Sequence, residues 1–224
     1  FEFTCEDGTR GTARKILLAT GLVDEIPQIP GIEPFYGVSV HHCLYCDGFE
    51  YKDRSVAAYG RGDKGAELGL MMKQWVSDII VCTDGAAVST ENQTKLAQHA
   101  IPIRADPITS LAGQDGHLKQ IRFAQGPALD REAVFFATGC RPGSDLSQRL
   151  GCARDEKGGV ITDPNTEETS VPGVYVAGDV SRDVLLVAIA VAEGAKAGVA
   201  INKAFLRSDG LCESPPNSEK RGKA

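Results

Sequence analysis

The chain has 224 residues, with 24 Lys and Arg against 30 Asp and Glu, so its formal charge at neutral pH is -6. This acidic balance argues against a nucleic-acid-binding protein, which normally gathers a basic surplus on one face. Seven cysteines are too sparse and uneven for a small disulfide scaffold, and the longest apolar run, 184–192, falls well short of the ~20 residues of a membrane span.

The first predicted element is a hairpin, with strands at 1–5 and 13–19 on either side of an Asp7-Gly8 turn. The second strand leads directly into Thr20-Gly21. Residues 24–37 then contain three prolines and two glycines, a composition that predicts an irregular linker.

A dithiol motif follows this linker. Cys43 and Cys46 form a C-x-x-C pair, whose spacing lets two sulfurs meet on one turn and predicts a redox dithiol. Asp47 follows directly and is a candidate for moving protons as thiol and thiolate exchange. His41 and His42 are alternative acid–base candidates, and a zinc site that combines them with the two cysteines stays open.

A strand–turn–helix–strand unit comes next. Strands are predicted at 55–59 and 78–82, with a helix between them whose apolar positions run from 68 to 76. The intervening loop is Gly60-x-Gly62-x-x-Gly65, which in this context predicts a dinucleotide site. Gly60 would allow the tight turn, Gly62 close approach to a pyrophosphate, and Gly65 packing of helix on strand. A glycine-rich turn without ligand remains the alternative.

Asp84 stands about 20 residues beyond this loop, where an acidic side chain would bind the ribose 2′-hydroxyl of NAD. Because a carboxylate repels a 2′-phosphate, this position favours NADH over NADPH. A simple turn role before Gly85 is the other interpretation.

Two strand ends are nearly identical, 16–21 and 134–139, and each is followed by a proline. This near-repeat predicts two crossings between domains, with a central domain inserted into another. Further strands are predicted at 159–163 and 174–177, the latter ending in Gly178-Asp179. A buried helix capped by Asp183 is then predicted over 184–205, followed by a disordered tail at 207–224.

Several of these segments together resemble the low-molecular-weight thioredoxin reductase family of FAD- and pyridine-nucleotide-dependent disulfide oxidoreductases. The resemblance extends to about residue 205. The matching segments are Ala13-Arg14-x-Ile16-Leu17-Leu18-Ala19-Thr20-Gly21, Cys43-x-x-Cys46-Asp47-Gly48, the Gly60 to Gly65 loop, Ala137-Thr138-Gly139-x-x-Pro142, and Thr169-x-x-Pro172 continuing through Gly173 to Val180.

The resemblance implies an α/β fold of two Rossmann-like, three-layer dinucleotide-binding domains. The nicotinamide domain would be 28–141, inserted into an FAD domain formed by 1–27 and 142–206. Two such domains would need about 300 residues. The first βαβ unit of the FAD domain is therefore expected to be missing, and the chain to be truncated at its N-terminus.

The resemblance also implies roles for single residues. Cys46 would lie beside the flavin, Cys43 would attack the partner disulfide, and Asp47 would donate and accept protons. The nicotinamide cofactor would bind with its pyrophosphate on the Gly60–Gly65 loop and a ribose 2′-hydroxyl at Asp84. The residues expected to contact FAD are Thr20, Gly21, Gly178, Asp179 and Val180.

The implied function is a thioredoxin reductase-like enzyme that takes electrons from NAD(P)H through FAD to the dithiol and on to a protein disulfide. Thr83-Asp84-Gly85 replaces the family's His-Arg-Arg motif for the 2′-phosphate, which again favours NADH. A cytoplasmic homodimer with a thioredoxin-like or small disulfide partner is expected, and neither a metal, a nucleic acid nor a membrane. His42-Cys43-Leu44-Tyr45-Cys46 also resembles a divergent branch of small-molecule dithiol oxidases that use oxygen. A non-catalytic dinucleotide-binding or zinc-clipped domain is the third hypothesis.

Overall fold

A computed structural model of the chain describes residues 1–181 and 184–212. Strands β1 to β14 are Glu2–Thr4, Arg10–Thr12, Ile16–Leu18, Leu22–Asp24, Val40–His41, Ser55–Tyr59, Asp78–Cys82, Ile103–Arg104, Ile108–Gln114, His117–Phe123, Leu129–Asp130, Ala133–Phe136, Cys140–Pro142 and Val174–Val176. Helices α1 to α5 are Leu44–Asp47, Asp63–Met72, Thr90–Gln98, Leu146–Arg149 and Val187–Ser208. Short 3₁₀ helices occupy Gly48–Tyr51 and Asp179–Ser181.

The chain divides into two compact units. One, here called the split unit, combines residues 1–23 with 142–224, and the other, the continuous unit, is 24–141. The strands β4 and β13 form a separate two-stranded sheet where the chain passes from one unit to the other.

The continuous unit is built on a five-stranded parallel sheet of order β5-β12-β6-β7-β8. Its central strands are apolar at almost every position, as expected where a parallel sheet is covered on both faces. Alternate residues point to opposite faces and therefore join two different cores. One core packs against α2 and α3, and its strand members are Val56, Ala58, Ile79, Val81, Ala133 and Phe135. The other packs against β9 and β10, and its members from the parallel sheet are Val40, Ala57, Tyr59, Ile80, Cys82, Val134 and Phe136.

The antiparallel sheet β11-β10-β9 completes this unit. Helices, parallel sheet and antiparallel sheet thus form three layers, which confirms the predicted three-layer α/β fold. Because the carboxyl ends of parallel strands meet at one edge, the loops after β6 and β7, where a nucleotide site is predicted, lie side by side.

The split unit contains a parallel pair, β3 and β14, with Leu17 opposite Tyr175. Its core comprises Leu18, Cys152, Val160, Val174, Val176 and Val180. The helix α5 buries one stripe, Glu193, Ala197 and Ala200, at the spacing of a helix face.

The predicted N-terminal hairpin is wrong in its second strand. The strand that pairs with β1 is β2, with Phe3 opposite Gly11. The Thr9 amide donates to the Asp7 carboxylate and Gly8 has a φ of 85°, so the chain reverses within a few residues. Ile16–Leu18 is thereby left to pair in parallel with β14.

Three further predicted elements differ from the structure: two helices in their bounds, and one strand that does not form. The helix α2 stops at Met72, so Trp75 and Val76 lie beyond it. Residues 159–163 make only isolated bridges, which involve Val160 and Thr162.

The prediction for α5 also needs correction. The helix starts at Val187 and continues through Ser208, so 207 and 208 are helical; Asp183 and residues 213–224 lie outside the described residues. Its first half is not buried, because Val187 is 81% and Val191 66% exposed.

Candidate functional site

Cys43 and Cys46 form a disulfide at the start of α1, directly after β5. Their Cα atoms are 5.3 Å apart. Cys43 is the N-cap of α1, and its sulfur accepts a hydrogen bond of 3.1 Å from the Cys46 amide. A backbone N–H directed at a sulfur stabilises its thiolate form. This contact therefore favours Cys43 as the nucleophilic sulfur of the pair, although Cys46 is the more exposed residue.

The carboxylate of Asp47 is brought next to a buried histidine. Asp47 Oδ2 is 3.4 Å from His41 Nδ1, and the other ring nitrogen of His41 is 3.1 Å from the Tyr51 hydroxyl. Burial lowers the pKa of His41, while the Asp47 charge opposes that shift. Asp47 and His41 were separate candidates in the sequence, and no motif indicated that the Tyr51 hydroxyl lies against the His41 ring.

His42 belongs to a second polar cluster. Its Nδ1 lies 3.3 Å from Asp24 Oδ2, which also accepts a 2.6 Å hydrogen bond from the Tyr36 hydroxyl. Burial, with the nearby Asp24 carboxylate, raises the pKa of Tyr36 to about 12, so this phenol stays a donor at neutral pH. Asp24 and Tyr36 lie in the stretch predicted to be an irregular linker, and nothing in their spacing indicated this contact.

The Gly-rich loop joins β6 to α2, as predicted. Gly60 and Gly65 touch through their backbones: a Cβ on Gly60 would stand 2.7 Å from the Gly65 nitrogen. Gly62 is the N-cap of α2, with a φ of 61°. The residue with a positive φ in this turn is thus Gly62 rather than Gly60. Glycine is required at position 60 because the backbone of Gly65 packs closely against it.

Asp84 lies just after β7 and faces the same loop. Its Oδ2 accepts a 3.2 Å hydrogen bond from the Tyr59 hydroxyl and is 4.0 Å from Arg61 Nη1. The position of Arg61 beside Asp84 was not predicted from the sequence. The signal was present, because Arg61 is the variable residue between Gly60 and Gly62.

A separate cleft opens in the split unit where β3 and β14 end. Its volume is about 220 Å³, and its polar lining residue is Asp179. Gly21 and Gly178 border it, while Thr20 is exposed beside Gly21. The remaining lining residues are Leu17, Ala19, Ala177, Ala190 and Gly194.

The residues that line this cleft suit a flavin. Small residues leave room at the strand ends, and a Cβ on Gly21 or Gly194 would meet nothing within 4 Å. One carboxylate in such a setting can accept hydrogen bonds from the hydroxyls of a ribityl chain. The Val180 side chain instead packs in the core, so its predicted contact with FAD would be made by its backbone.

Among the described residues, no group of three His, Cys, Asp or Glu side chains is arranged to hold a metal ion. The two sulfurs of the predicted zinc alternative are bonded to each other. No helix in residues 1–181 and 184–212 has the length and apolar character that crossing a bilayer requires.

Comparison with known proteins gives one consistent result. Residues 2–194 match the family described as pyridine nucleotide-disulphide oxidoreductase. The chain is 28% identical to thioredoxin reductase sirT of Leptosphaeria maculans, over 92% of the chain and 67% of that protein. It is also 28% identical to a thioredoxin reductase of Aquifex aeolicus, over 88% of the chain and 64% of the relative.

A solved structure agrees with these sequences. The crystal structure of TrxB from Bacillus anthracis superposes with a TM-score of 0.83 at 28% identity, covering 93% of this chain and 70% of that one. The chain spans between 52% and 67% of the length of the first curated relatives that it matches.

Proposed function

The chain belongs to the pyridine nucleotide-disulphide oxidoreductase family, and on that basis we propose that it is part of an FAD-dependent, thioredoxin reductase-like disulfide oxidoreductase. Electrons would pass from NAD(P)H to the Cys43–Cys46 pair and on to a protein disulfide. The observation that carries this proposal is the disulfide itself, which lies in the same unit as the Gly60–Gly65 loop.

The local structure around the disulfide supports a redox role. Cys43 and Cys46 stand at the surface rather than in the core, and the Cys46 amide is already directed at the Cys43 sulfur. A structural disulfide gains nothing from such access, whereas a catalytic one needs it for exchange with a partner. We assign Cys43 as the attacking sulfur, Cys46 as its resolving partner, and Asp47 as the proton donor and acceptor.

For the cofactors, we assign the 220 Å³ cleft of the split unit to FAD. Asp179 would accept hydrogen bonds from the ribityl hydroxyls, and Gly21 and Gly178 would let backbone come close. A bound flavin would supply the two-electron chemistry that links a nicotinamide to a dithiol.

The nicotinamide cofactor would use the loop before α2. The N-terminus of this ten-residue helix carries backbone N–H groups and a partial positive charge suited to phosphate. We propose that NADH is preferred to NADPH, because Asp84 would repel a 2′-phosphate more than the exposed Arg61 would attract it.

The disulfide is flanked by aromatic side chains that suit a protein partner. Tyr45 lies between the two cysteines and is 67% exposed, and Phe49 is 71% exposed. The Tyr45 ring meets Trp75 edge-on, with centroids 5.6 Å apart. Exposed aromatic groups are typical anchors of protein interfaces. We therefore propose a thioredoxin-like protein as the electron acceptor and, from the resemblance, a homodimeric enzyme.

A stoichiometric exchange experiment tests the proposal with the 224-residue chain. Cys43–Cys46 is reduced with a small dithiol, the reductant is removed without oxygen, and an oxidised thioredoxin is added. We expect the thioredoxin to be reduced while the Cys43–Cys46 bond re-forms, as measured by mass spectrometry of alkylated peptides. The matched control is the Cys43→Ser, Cys46→Ser double variant, which should transfer nothing. Failure of the reduced chain to reduce any protein disulfide would refute the proposed function.

The other two hypotheses are not favoured. The named relatives are thioredoxin reductases rather than oxidases. An anaerobic titration discriminates further: NADH bleaching the FAD-loaded protein supports a reductase, whereas bleaching by a small dithiol alone supports an oxidase.

A further inference from the structure

His41 lies two residues before Cys43, and its side chain is buried, with only 7% of its surface exposed. Its ring packs against the aromatic rings of Tyr51 and Phe135, at centroid distances of 5.4 and 5.2 Å. A buried ionisable group with a specific charge partner is a candidate for a role in positioning or proton transfer. The hydrogen bonds around His41 identify that role.

The tautomer of His41 follows from the Tyr51 hydroxyl. This hydroxyl has a single proton, which it donates to the Val38 carbonyl at 2.9 Å. Towards His41 Nε2, 3.1 Å away, the Tyr51 oxygen can therefore only accept. Nε2 must carry a proton, and in the neutral ring Nδ1 is left as an acceptor.

The acceptor Nδ1 of His41 faces a second acceptor, the carboxylate of Asp47. Nδ1 lies 3.4 Å from Asp47 Oδ2, and two lone pairs at that distance attract each other only when they share a proton. Burial lowers the pKa of His41, and the His42 charge acts in the same direction. The Asp47 and Glu50 charges and the Val38 carbonyl oppose them. Burial thus favours the neutral ring, whose Nδ1 faces the Asp47 carboxylate, the position where a shared proton can be held.

We propose that His41 is a positioning residue that shares with Asp47 a proton released by the Cys43–Cys46 dithiol. The inference rests on the proposed function, since it concerns the same dithiol. Asp47 would accept the proton and His41 would act through it, with Tyr51 fixing the ring so that Nδ1 faces the carboxylate and shares that proton.

The exchange reaction balances as follows. Cys43 Sγ attacks one sulfur of a substrate disulfide, whose S–S bond breaks and releases one thiolate. Cys46 Sγ then attacks Cys43 Sγ, forming the intramolecular disulfide and releasing the second thiolate. Two electrons pass to the substrate, and the two cysteine protons end on the product sulfurs or on solvent. One of these protons is held in transit between His41 and Asp47.

The pH dependence of this exchange tests the proposal. The pre-reduced chain reacts with Ellman's reagent, an aromatic disulfide, between about pH 5 and pH 9, a range that brackets the ordinary histidine pKa. Cys5, Cys140 and Cys212 are replaced by serine, because they are the free cysteines that are at least partly accessible. Stopped-flow absorbance then follows release of the two thiolates.

The expected result is a change in the shape of the pH profile. The rate at which the second thiolate is released should show an inflection with pH, and His41→Gln should remove it. At the pH values where wild type is fast, His41→Gln should lower this rate roughly tenfold, which is less than the ~10²–10⁴-fold effect of a direct acid–base catalyst. His117→Gln, on an exposed strand residue, should leave the profile unchanged. Asp47→Asn should also remove the inflection, and adding His41→Gln should then cost nothing more, because the two act as a unit.

Tyr51→Phe provides a variant that keeps the ring packing and removes only the hydroxyl. The inflection should move, because Nε2 loses its partner and the tautomer is no longer fixed. If His41→Gln lowers the rate equally at every pH and keeps the inflection, the role of His41 is merely structural and the inference is overturned. An inflection lost in His42→Gln but kept in His41→Gln would do the same. If His41→Gln does not fold, an unshifted Tyr51→Phe profile overturns it. A wild-type dithiol that reacts with no disulfide at any pH refutes the proposed function instead.

Discussion

The Tyr59 hydroxyl donates a 3.2 Å hydrogen bond to Asp84 Oδ2, joining the last residue of β6 to the turn after β7. Burial and the adjacent Asp84 charge raise the pKa of Tyr59 to about 12. The phenol therefore remains a donor throughout the physiological range and holds the carboxylate in place. Two parallel strands thus fix an acidic group at the edge where a nucleotide would bind.

Asp84→Asn should abolish the preference for NADH. The wild-type chain is expected to bind NADH roughly tenfold more tightly than NADPH, a difference of about 1.4 kcal/mol. Removing the charge leaves Arg61 unopposed, so NADPH affinity should rise while NADH affinity falls slightly. Calorimetric titration with both nucleotides measures this, with Asp115→Asn on a remote exposed turn as the control. Equal affinities in the wild-type chain would contradict the assignment.

Cys46→Ser should trap a thioredoxin as a stable mixed disulfide. In this variant Cys43 keeps the backbone N–H that is directed at its sulfur. The probe is a thioredoxin whose second active-site cysteine is replaced by serine and whose first is bonded to the thiol of Ellman's reagent. Cys43 then forms the mixed disulfide as the aromatic thiolate leaves, and no thiol of either protein remains beside the new bond to reopen it. Cys43→Ser should trap far less, because Cys46 lacks that contact and is assigned as the resolving sulfur. Non-reducing electrophoresis followed by mass spectrometry measures the adduct. More adduct with Cys43→Ser than with Cys46→Ser would reverse the two roles.

Sequence patterns predicted an element correctly where a single physical constraint determines its structure. The strands at 55–59 and 78–82 coincide with β6 and β7, because a doubly covered parallel strand must be apolar throughout. The dithiol and the glycine loop were found because their spacing is set by bond geometry and close backbone contact.

The polar partners of the dithiol were not predictable. The contact of Asp24 with Tyr36 and His42 depends on how a Pro/Gly-rich segment winds back on itself, which has no periodic signature. The exposure of α5 was missed for a related reason: an apolar composition does not tell which face of a helix has a neighbour. Val187 and Val191 are exposed although the sequence predicts burial.

The stability of the continuous unit should fall as the pH falls below about 6.5, the ordinary histidine pKa. The pKa of His41 is lowered by burial in the folded chain, so between that value and 6.5 the unfolded chain binds more protons. The free energy of unfolding therefore rises with pH through this window and levels off above it. Urea titrations followed by Trp75, the single tryptophan, report on this unit.

In His41→Gln this dependence should be reduced, whereas His117→Gln should retain it. The comparison isolates the buried imidazole, because both variants lose one titratable ring and only one of those rings is buried. Identical slopes in the two variants would show that His41 titrates normally in the folded chain.

Gly194→Leu should weaken FAD binding without destabilising the chain. The Cβ position of Gly194 meets nothing within 4 Å, so a larger side chain can enter the cleft assigned to the flavin. Leucine also favours the helix over glycine by roughly 0.5–1 kcal/mol. Equilibrium dialysis with FAD measures the effect, with Gly198→Leu on the same helix but outside the cleft as the control. Unchanged FAD affinity in Gly194→Leu would place the flavin elsewhere.

Gly65→Ala should destabilise the continuous unit and damage nucleotide binding together. A Cβ at this position would overlap the Gly60 carbonyl oxygen and come within 3.0 Å of the Gly60 nitrogen, both of them rigid backbone atoms. The strand and helix would have to separate, at a cost of about 1–3 kcal/mol in the free energy of unfolding. Gly198→Ala is the matched control, since its Cβ position is open and alanine stabilises a helix interior by about 0.5–1 kcal/mol. Urea titration should thus move the two variants in opposite directions, and a Gly65→Ala chain as stable as wild type would mean that the loop does not need the close approach of Gly60 and Gly65.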